Sequence, residues 1–384
     1  MENSTAYLMA GIPVTNAAVY HQIRFIVHDP VALIEVPYEG GRKRILILRD
    51  IEMDRARQRT TVDRVACPAD FTPAQGLSGD REIATAQAAA ECLRRHQVTQ
   101  VVGDRSLSLI YVDALQAAGI HVECDRDLGV LSRRSKDEQE IAWIREAQQT
   151  TEQAMHMACT MVARATADAD GSLHVDDQPL TAERVRAAIV HFLVDHGYAG
   201  PPAIVASGPQ GADCHCLGTG PIRTGEPVII DIFPQCEATR YNGDCTRTVV
   251  HGDIRDEIVH MHATVLAAKA AAEGVTRAGV TGEEVHRAAA QVIQRQGYHM
   301  GLPTKDDDFT YCAMTHGTGH GLGLEVHEAP LLDNSGSMLV AGDILTIEPG
   351  LYRRDLGGLR VEDMVVVRED GCENLNQLPT DLRW

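Results

Sequence analysis

Four carboxylic acids stand where apolar β-strands would be expected to carry none. Asp231 follows Val228-Ile229-Ile230, and Asp244 precedes Thr246-Arg247-Thr248-Val249-Val250. Glu348 closes Ile344-Leu345-Thr346-Ile347 and is followed by Pro349-Gly350, while Glu362 sits inside Leu359 to Val366. A carboxylate at an apolar strand end is costly to desolvate unless it is paired or bound to a cation. Taken singly, each reads most simply as a strand-end residue facing solvent. Gathered in one fold, the four would repel one another, and divalent cations are the natural remedy.

The rest of the chain frames these strands. A length of 384 residues suggests about two domains. Over residues 1–130, short apolar runs such as Ile45–Leu48, Val101–Gly103 and Ile120–Val122 alternate with helical patterns at Ala84–His96 and Ser108–Ala118. That alternation predicts an α/β domain. Near residue 131 the character changes. Ser135-Lys136-Asp137-Glu138 matches a capping box, and Ile141, Ile144, Ala147, Thr151, Ala154, Met155 and Ala158 recur at helical spacing. Residues 131–384 read as a second domain of α+β type. Its expected helices run from a Thr181 cap to His196, over Arg255–Glu273, and from the capping box Thr281–Glu284 to Gly297. Its expected strands are Pro227–Phe233, Thr246–Val250, Asp343–Ile347 and Leu359–Val367, and Asp168–Gln178 reads as a surface loop.

A nitrogen donor lies close by in sequence. His316, His320 and His327 share one segment with Gly317, Gly319, Gly321 and Gly323. The glycines permit close backbone approach and disfavour a helix, so His316 and His320 are not the paired helical ligands of a zincin. The segment fits no G-x-G-x-x-G frame and precedes no capped helix, so a dinucleotide loop is rejected. His320 is the expected nitrogen ligand.

Charge narrows the partners. Lys+Arg total 35 against Asp+Glu 54, for a net charge of −19. This argues against nucleic acid or an anionic membrane as a partner, because both need basic patches. No stretch is long and apolar enough to span a bilayer. The opening residues carry no basic, apolar leader pattern, so the expected location is the cytoplasm. The ten cysteines then read as reduced thiols rather than a disulfide framework.

With these residues in place, residues 131–384 resemble peptidase family M24, the group of Xaa-Pro aminopeptidases, prolidases, methionine aminopeptidases and creatinase. The resemblance is carried, in order, by five elements. These are Asp231; Asp244-x-Thr-Arg-Thr; His-Gly-x-Gly-His320-x-x-Gly-Leu-x-x-His327-Glu; Thr-Ile-Glu348-Pro-Gly-Leu-Tyr; and Gly-Leu-Arg-Val-Glu362-Asp. Residues 1–130 resemble the creatinase-type amino-terminal domain more loosely. The resemblance implies an α/β creatinase-type domain followed by an α+β pita-bread catalytic domain. It also implies two divalent metal ions. Asp231 would chelate one, His320 and Glu348 the other, and Asp244 and Glu362 would bridge them. A site rich in carboxylates with one imidazole suits Mn²⁺ as well as Zn²⁺ or Co²⁺. His215, His316 and His327 match the family's three further active-site histidines, and Arg360 and Tyr352 match supporting positions. The implied reaction is hydrolysis of the Xaa-Pro bond of small peptides by a shared hydroxide, with Glu348 as general base and acid, in a homodimer. One departure stands out. Asp231 and Asp244 are 13 residues apart, two more than the family's usual spacing, and Asp-Ile-Phe-Pro replaces Asp-x-Gly. An even insertion keeps strand parity, so both side chains would still share a face.

Competing readings are weaker. Cys214-His215-Cys216 with Cys236 and Cys245 lacks the paired knuckles of a zinc ribbon. Ala206-Ser207-Gly208 lacks the first glycine of G-x-S-x-G. A creatinase-like C–N hydrolase, or a non-catalytic binding protein of the same fold, would not need the five ligand positions present here.

Overall fold

The computed structural model describes residues 5–384, which divide into two compact units, one ending at Arg133 and the other spanning Arg134–Trp384. The first unit is built on a six-stranded sheet. Its spatial order is Arg64–Ala66, Gly41–Ile47, Val31–Tyr38, Thr5–Gly11, Gln100–Asp104 and His121–Asp125. Val31–Tyr38 pairs antiparallel with both of its neighbours, whereas Thr5–Gly11, Gln100–Asp104 and His121–Asp125 run parallel. Helices Arg81–Arg95 and Leu109–Ala117 are the crossovers that parallel pairing demands. Arg81–Arg95 presents Ala86, Ala89, Ala90 and Leu93 to the core beside Leu8, Ile34 and Ile45.

The second unit contains two helix-backed sheets. Helices Glu138–Ala163 and Ala182–Asp195 share one core with the antiparallel sheet of Ile204–Ser207, Pro227–Ile232 and Cys245–Val250. Helices Asp256–Val275 and Gly282–Arg295 share another with the later strands. Of these, Glu328–Leu332, Gly319–Gly321, Ile344–Ile347, Asp363–Val367 and Cys372–Asn374 form a five-stranded sheet. Gly350–Arg353 and Gly357–Arg360 form a hairpin in a third sheet. No helix among the described residues is long and apolar enough to cross a membrane. All ten cysteines are free thiols.

Three expectations change at this level. The long helix starts at Glu138, capped by Asp137, whose carboxylate accepts from the Glu140 N–H at 2.8 Å while Glu140 reaches back to the Asp137 N–H at 2.9 Å. Ser135 does not cap it, because its hydroxyl donates to the Ala341 carbonyl and the Lys136 N–H to that of Gly342. The expected loop over 168–178 is a small three-stranded meander of Thr166–Ala167, Leu173–Val175 and Gln178–Pro179. The single strand expected over Leu359–Val367 is two strands that break at Val361-Glu362. The first half pairs with Gly350–Arg353 and the second with Ile344–Ile347, so the chain changes sheets there.

Buried charge ties the break down. Arg247 is almost fully buried and donates to the carbonyls of Thr246, Glu362, Leu378 and Pro379, and to Asp363 Oδ1 at 2.8 Å. Asp363 Oδ2 also meets Lys269 at 2.5 Å and Asn374 at 2.8 Å. Burial works to raise the Asp363 pKa, but the charges of Arg247 and Lys269 outweigh it and hold the carboxyl below its ordinary range. Removing one partner of such a buried network strands the others. Arg247→Met should therefore destabilise the fold by about 3–5 kcal/mol in denaturant titration. A loss under about 1 kcal/mol would contradict the assignment.

Candidate metal centre

The strand register brings the first two acids together. Asp231 pairs with Thr246 across the antiparallel sheet, and Asp244 lies two residues before Thr246, so Asp231 and Asp244 share a face despite the longer connection. Gln148, on the long helix, clamps the Asp244 backbone from both sides. Its amide donates to the Asp244 carbonyl at 2.6 Å and accepts from the Asp244 N–H at 2.9 Å.

His320 arrives on Gly319–Gly321, squeezed between two neighbouring strands. A Cβ on Gly319 would lie 2.0 Å from the Thr346 carbonyl oxygen, and one on Gly321 would lie 2.5 Å from that of Ala329. Only glycine fits on either side of this histidine. His320 Nδ1 lies 3.1 Å from the Gly321 carbonyl, which can only accept, so Nδ1 carries the proton and Nε2 presents its lone pair. That lone pair faces Glu348 Oε1 at 3.5 Å and Asp244 Oδ2 at 4.0 Å. Burial, then the neighbouring His327, lowers the His320 pKa to about 4, so the ring is neutral at pH 7. The imidazole lone pair and two carboxyl groups thus face one another across a short gap.

Glu362 occupies the strand break. Its N–H donates to the Thr246 carbonyl at 3.1 Å, and its Oε2 accepts from the Thr246 hydroxyl at 2.7 Å. The same hydroxyl accepts from Arg360 Nε at 3.2 Å. Arg360 directs Nη2 to Asp231 Oδ2 at 2.6 Å and Nη1 to Tyr352 Oη at 2.9 Å and the Cys214 carbonyl at 3.2 Å. Tyr352 in turn meets His316 Nε2 at 2.7 Å, and His316 Nδ1 lies 2.7 Å from the Gly317 carbonyl. Because that carbonyl must accept, the proton order runs Arg360 to Tyr352 to His316 to Gly317. Burial, then the Arg360 charge, drops the His316 pKa to about 3 and keeps it neutral.

All ten residues singled out from the sequence converge except in one respect. Asp231, Asp244, His320, Glu348, Glu362, Arg360, His215, His316 and His327 line one cleft of about 280 Å³, while Tyr352 sits behind it against Arg360 and His316. His215 and His327 are exposed within the cleft, whereas both nitrogens of His316 are engaged by the protein. Sequence reasoning gave no role to Gln148 or Thr246, nor to Glu328. That last carboxylate accepts the N–H groups of Leu324 and Glu325 and pairs with buried Lys136, which fixes the turn carrying His327.

The donor set fits a divalent cation. Atoms of Asp244, His320 and Glu362 lie within 4.8 Å of one another, as metal ligands require. Asp231 Oδ1 is buried without a hydrogen-bond partner, next to an Oδ2 that accepts from Arg360 Nη2 at 2.6 Å. The pKa pattern agrees. Burial, followed by the charges of the other acids, raises Asp244 and Glu362 well above the carboxylate range. Burial also lifts Glu348 to about 7, with Arg360 opposing and Asp231 adding to the shift.

These shifts have a definite sign. A carboxyl whose folded pKa is raised favours the fold below its unfolded pKa near 4.5 and loses that contribution as pH rises through about 7. Metal-free protein should therefore melt at a lower temperature at pH 8 than at pH 5.5. Excess divalent metal should reverse the difference by neutralising the cluster. Equal melting temperatures at the two pH values in chelator would contradict the arrangement.

Comparison with known proteins places this geometry. The model of metallopeptidase family M24 matches residues 142–369, wholly inside the second unit. An Xaa-Pro dipeptidase of Pyrococcus furiosus is 34% identical over 205 residues, covering 52% of this chain and 55% of that protein. The chain thus spans about half the length of the curated relatives it matches. Among solved structures, an X-Pro aminopeptidase from Thermotoga maritima MSB8 superposes with a TM-score of 0.78 at 25% identity, over 98% of this chain and 97% of that one. A prolidase from Pyrococcus furiosus superposes at 0.76 with 22% identity, over 97% and 96%, a likeness of fold alone. The architecture is accordingly an α/β unit followed by an α+β unit of the pita-bread type. By sequence match and fold, the chain belongs to metallopeptidase family M24.

Proposed function

We propose that this protein is a dinuclear metallopeptidase that hydrolyses the peptide bond before proline in small Xaa-Pro peptides. The observation that carries the reading is the convergence of Asp231, Asp244, His320, Glu348 and Glu362 on one cleft, with His215 and His327 open to it. In this reading the five residues hold two divalent ions, Mn²⁺, Zn²⁺ or Co²⁺. When bound, such ions supply an activated water and polarise the scissile carbonyl. The unit ending at Arg133 serves as the creatinase-type domain and Arg134–Trp384 as the catalytic one. The names of the relatives support the preference for proline, and the family resemblance extends the reading to a cytoplasmic homodimer.

The side chains divide the remaining work. Glu348 is half-buried at the cleft, with a carboxyl poised near neutrality in the metal-free protein, and is placed to take a proton from water and return it to the departing amine. His215 and His327 are free to donate to the substrate carbonyl and to the charge that develops on it. Arg360, Tyr352 and His316 act differently. Their donors are spent on one another, on Asp231 and on backbone carbonyls, so they hold Asp231 in one orientation rather than meet substrate.

The test is a side-by-side assay, after loading with each metal, of Xaa-Pro dipeptides, longer Xaa-Pro peptides, peptides with amino-terminal Met, and creatine. Cleavage should be confined to the Xaa-Pro series. Glu348→Gln should lower kcat by about 10²–10⁴-fold without unfolding the protein. Turnover of creatine alone, or a Glu348→Gln variant with wild-type kcat, would overturn the reading.

A further inference from the structure

The longer connection between Asp231 and Asp244 places an aromatic ring at the cleft wall. Phe233 follows the strand Pro227–Ile232 directly, and it lies two residues beyond Asp231. It borders two spaces. On one side is the 280 Å³ cleft, where Ile204, Val326 and Leu331 are the other large apolar side chains. On the other is a wholly separate apolar hollow of about 120 Å³, between the helix Ala182–Asp195 and the segment 198–203. Phe233 is the one lining residue the two spaces share.

The backbone around this ring has little slack. Tyr198 and Ala199 pair with Cys236 and Gln235, and the Pro234 carbonyl accepts the Gly243 N–H at 3.0 Å. A Cβ on Gly200 would already sit 3.2 Å from the Pro234 Cα. Because the main chain is pinned on both sides, the partition between cleft and hollow is a side chain and not a mobile loop. Ile204, which pairs with Asp231 in the sheet, continues the apolar wall beside the candidate ligands.

We propose that Phe233 is a specificity-determining residue that seats the Xaa side chain of the substrate against its ring and bars large side chains from the hollow behind it. The inference rests on the peptidase reading, because it names which substrate residue meets this wall. It predicts a protein that prefers small or medium apolar Xaa residues, and whose preference is set by the size of residue 233.

The experiment compares wild type, Phe233→Ala and Phe233→Trp on Ala-Pro, Leu-Pro and Phe-Pro peptides. Bound metal and melting temperature are measured alongside. Opening the wall should raise the kcat/KM ratio of Phe-Pro over Ala-Pro by about ten-fold or more in Phe233→Ala. Phe233→Trp should lower the same ratio. If Phe233→Ala does not fold, Phe233→Leu should show a smaller rise in the same direction. Wild-type cleavage with ratios unchanged in the folded variants would overturn this inference and leave the peptidase reading standing. Wild-type protein that is metal-loaded yet cleaves none of the peptides would overturn both.

Discussion

The mutual repulsion of buried carboxylates is the constraint from which the rest of the second unit follows. Asp231, Asp244 and Glu362 are each under a tenth exposed, with Glu348 beside them and the lone pair of a neutral His320 facing in. One buried arginine cannot balance four such groups, and the Nε, Nη1 and Nη2 groups of Arg360 are directed at protein acceptors. Without further positive charge the cluster can persist only by taking up protons, as the raised pKa values of Asp244, Glu348 and Glu362 express. Cations relieve the same strain while leaving every carboxylate ionised.

The surrounding structure is organised to hold that cluster in place. Thr246 joins the two sheets through one hydroxyl, accepting from Arg360 and donating to Glu362. Arg247, its neighbour, fastens the strand break through the Glu362 carbonyl and Asp363. Glycines at 319 and 321 let three strands close around His320. The clamp from Gln148 comes from a helix nearly one hundred residues earlier in the chain. Each contact removes a freedom that would otherwise let like charges drift apart, and this is the preorganisation that a metal site needs.

The acids and the histidines could be read from the sequence because they violate local pattern. A carboxylate after Val-Ile-Ile or inside Leu-Arg-Val has no local justification, and glycines around His320 exclude the simplest helical alternative. Supporting residues obey local pattern and so stay hidden. Thr246 is an ordinary strand threonine and Gln148 an ordinary helix glutamine until distant partners are known. The break at Val361-Glu362 was equally hidden, since both halves are apolar and β-rich and only pairing with different strands separates them. The helix start moved from Ser135 to Asp137 because the Ser135 hydroxyl is claimed by a carbonyl two hundred residues away. The sheet of the first unit was partly legible. Pro37 inside Val31–Tyr38 argues against a strand, although Pro30 and Gly40-Gly41 bracket the run.

The central claim is that the carboxylate cluster exists to bind cations. Equilibrium dialysis of wild type and Glu362→Gln against Mn²⁺ or Zn²⁺, with bound metal counted per chain, tests it most directly. Two ions per wild-type chain, about the number a bridging pair of carboxylates can serve, and fewer in the variant, is the expected result. Wild-type protein that binds no more metal than Glu362→Gln would contradict the account.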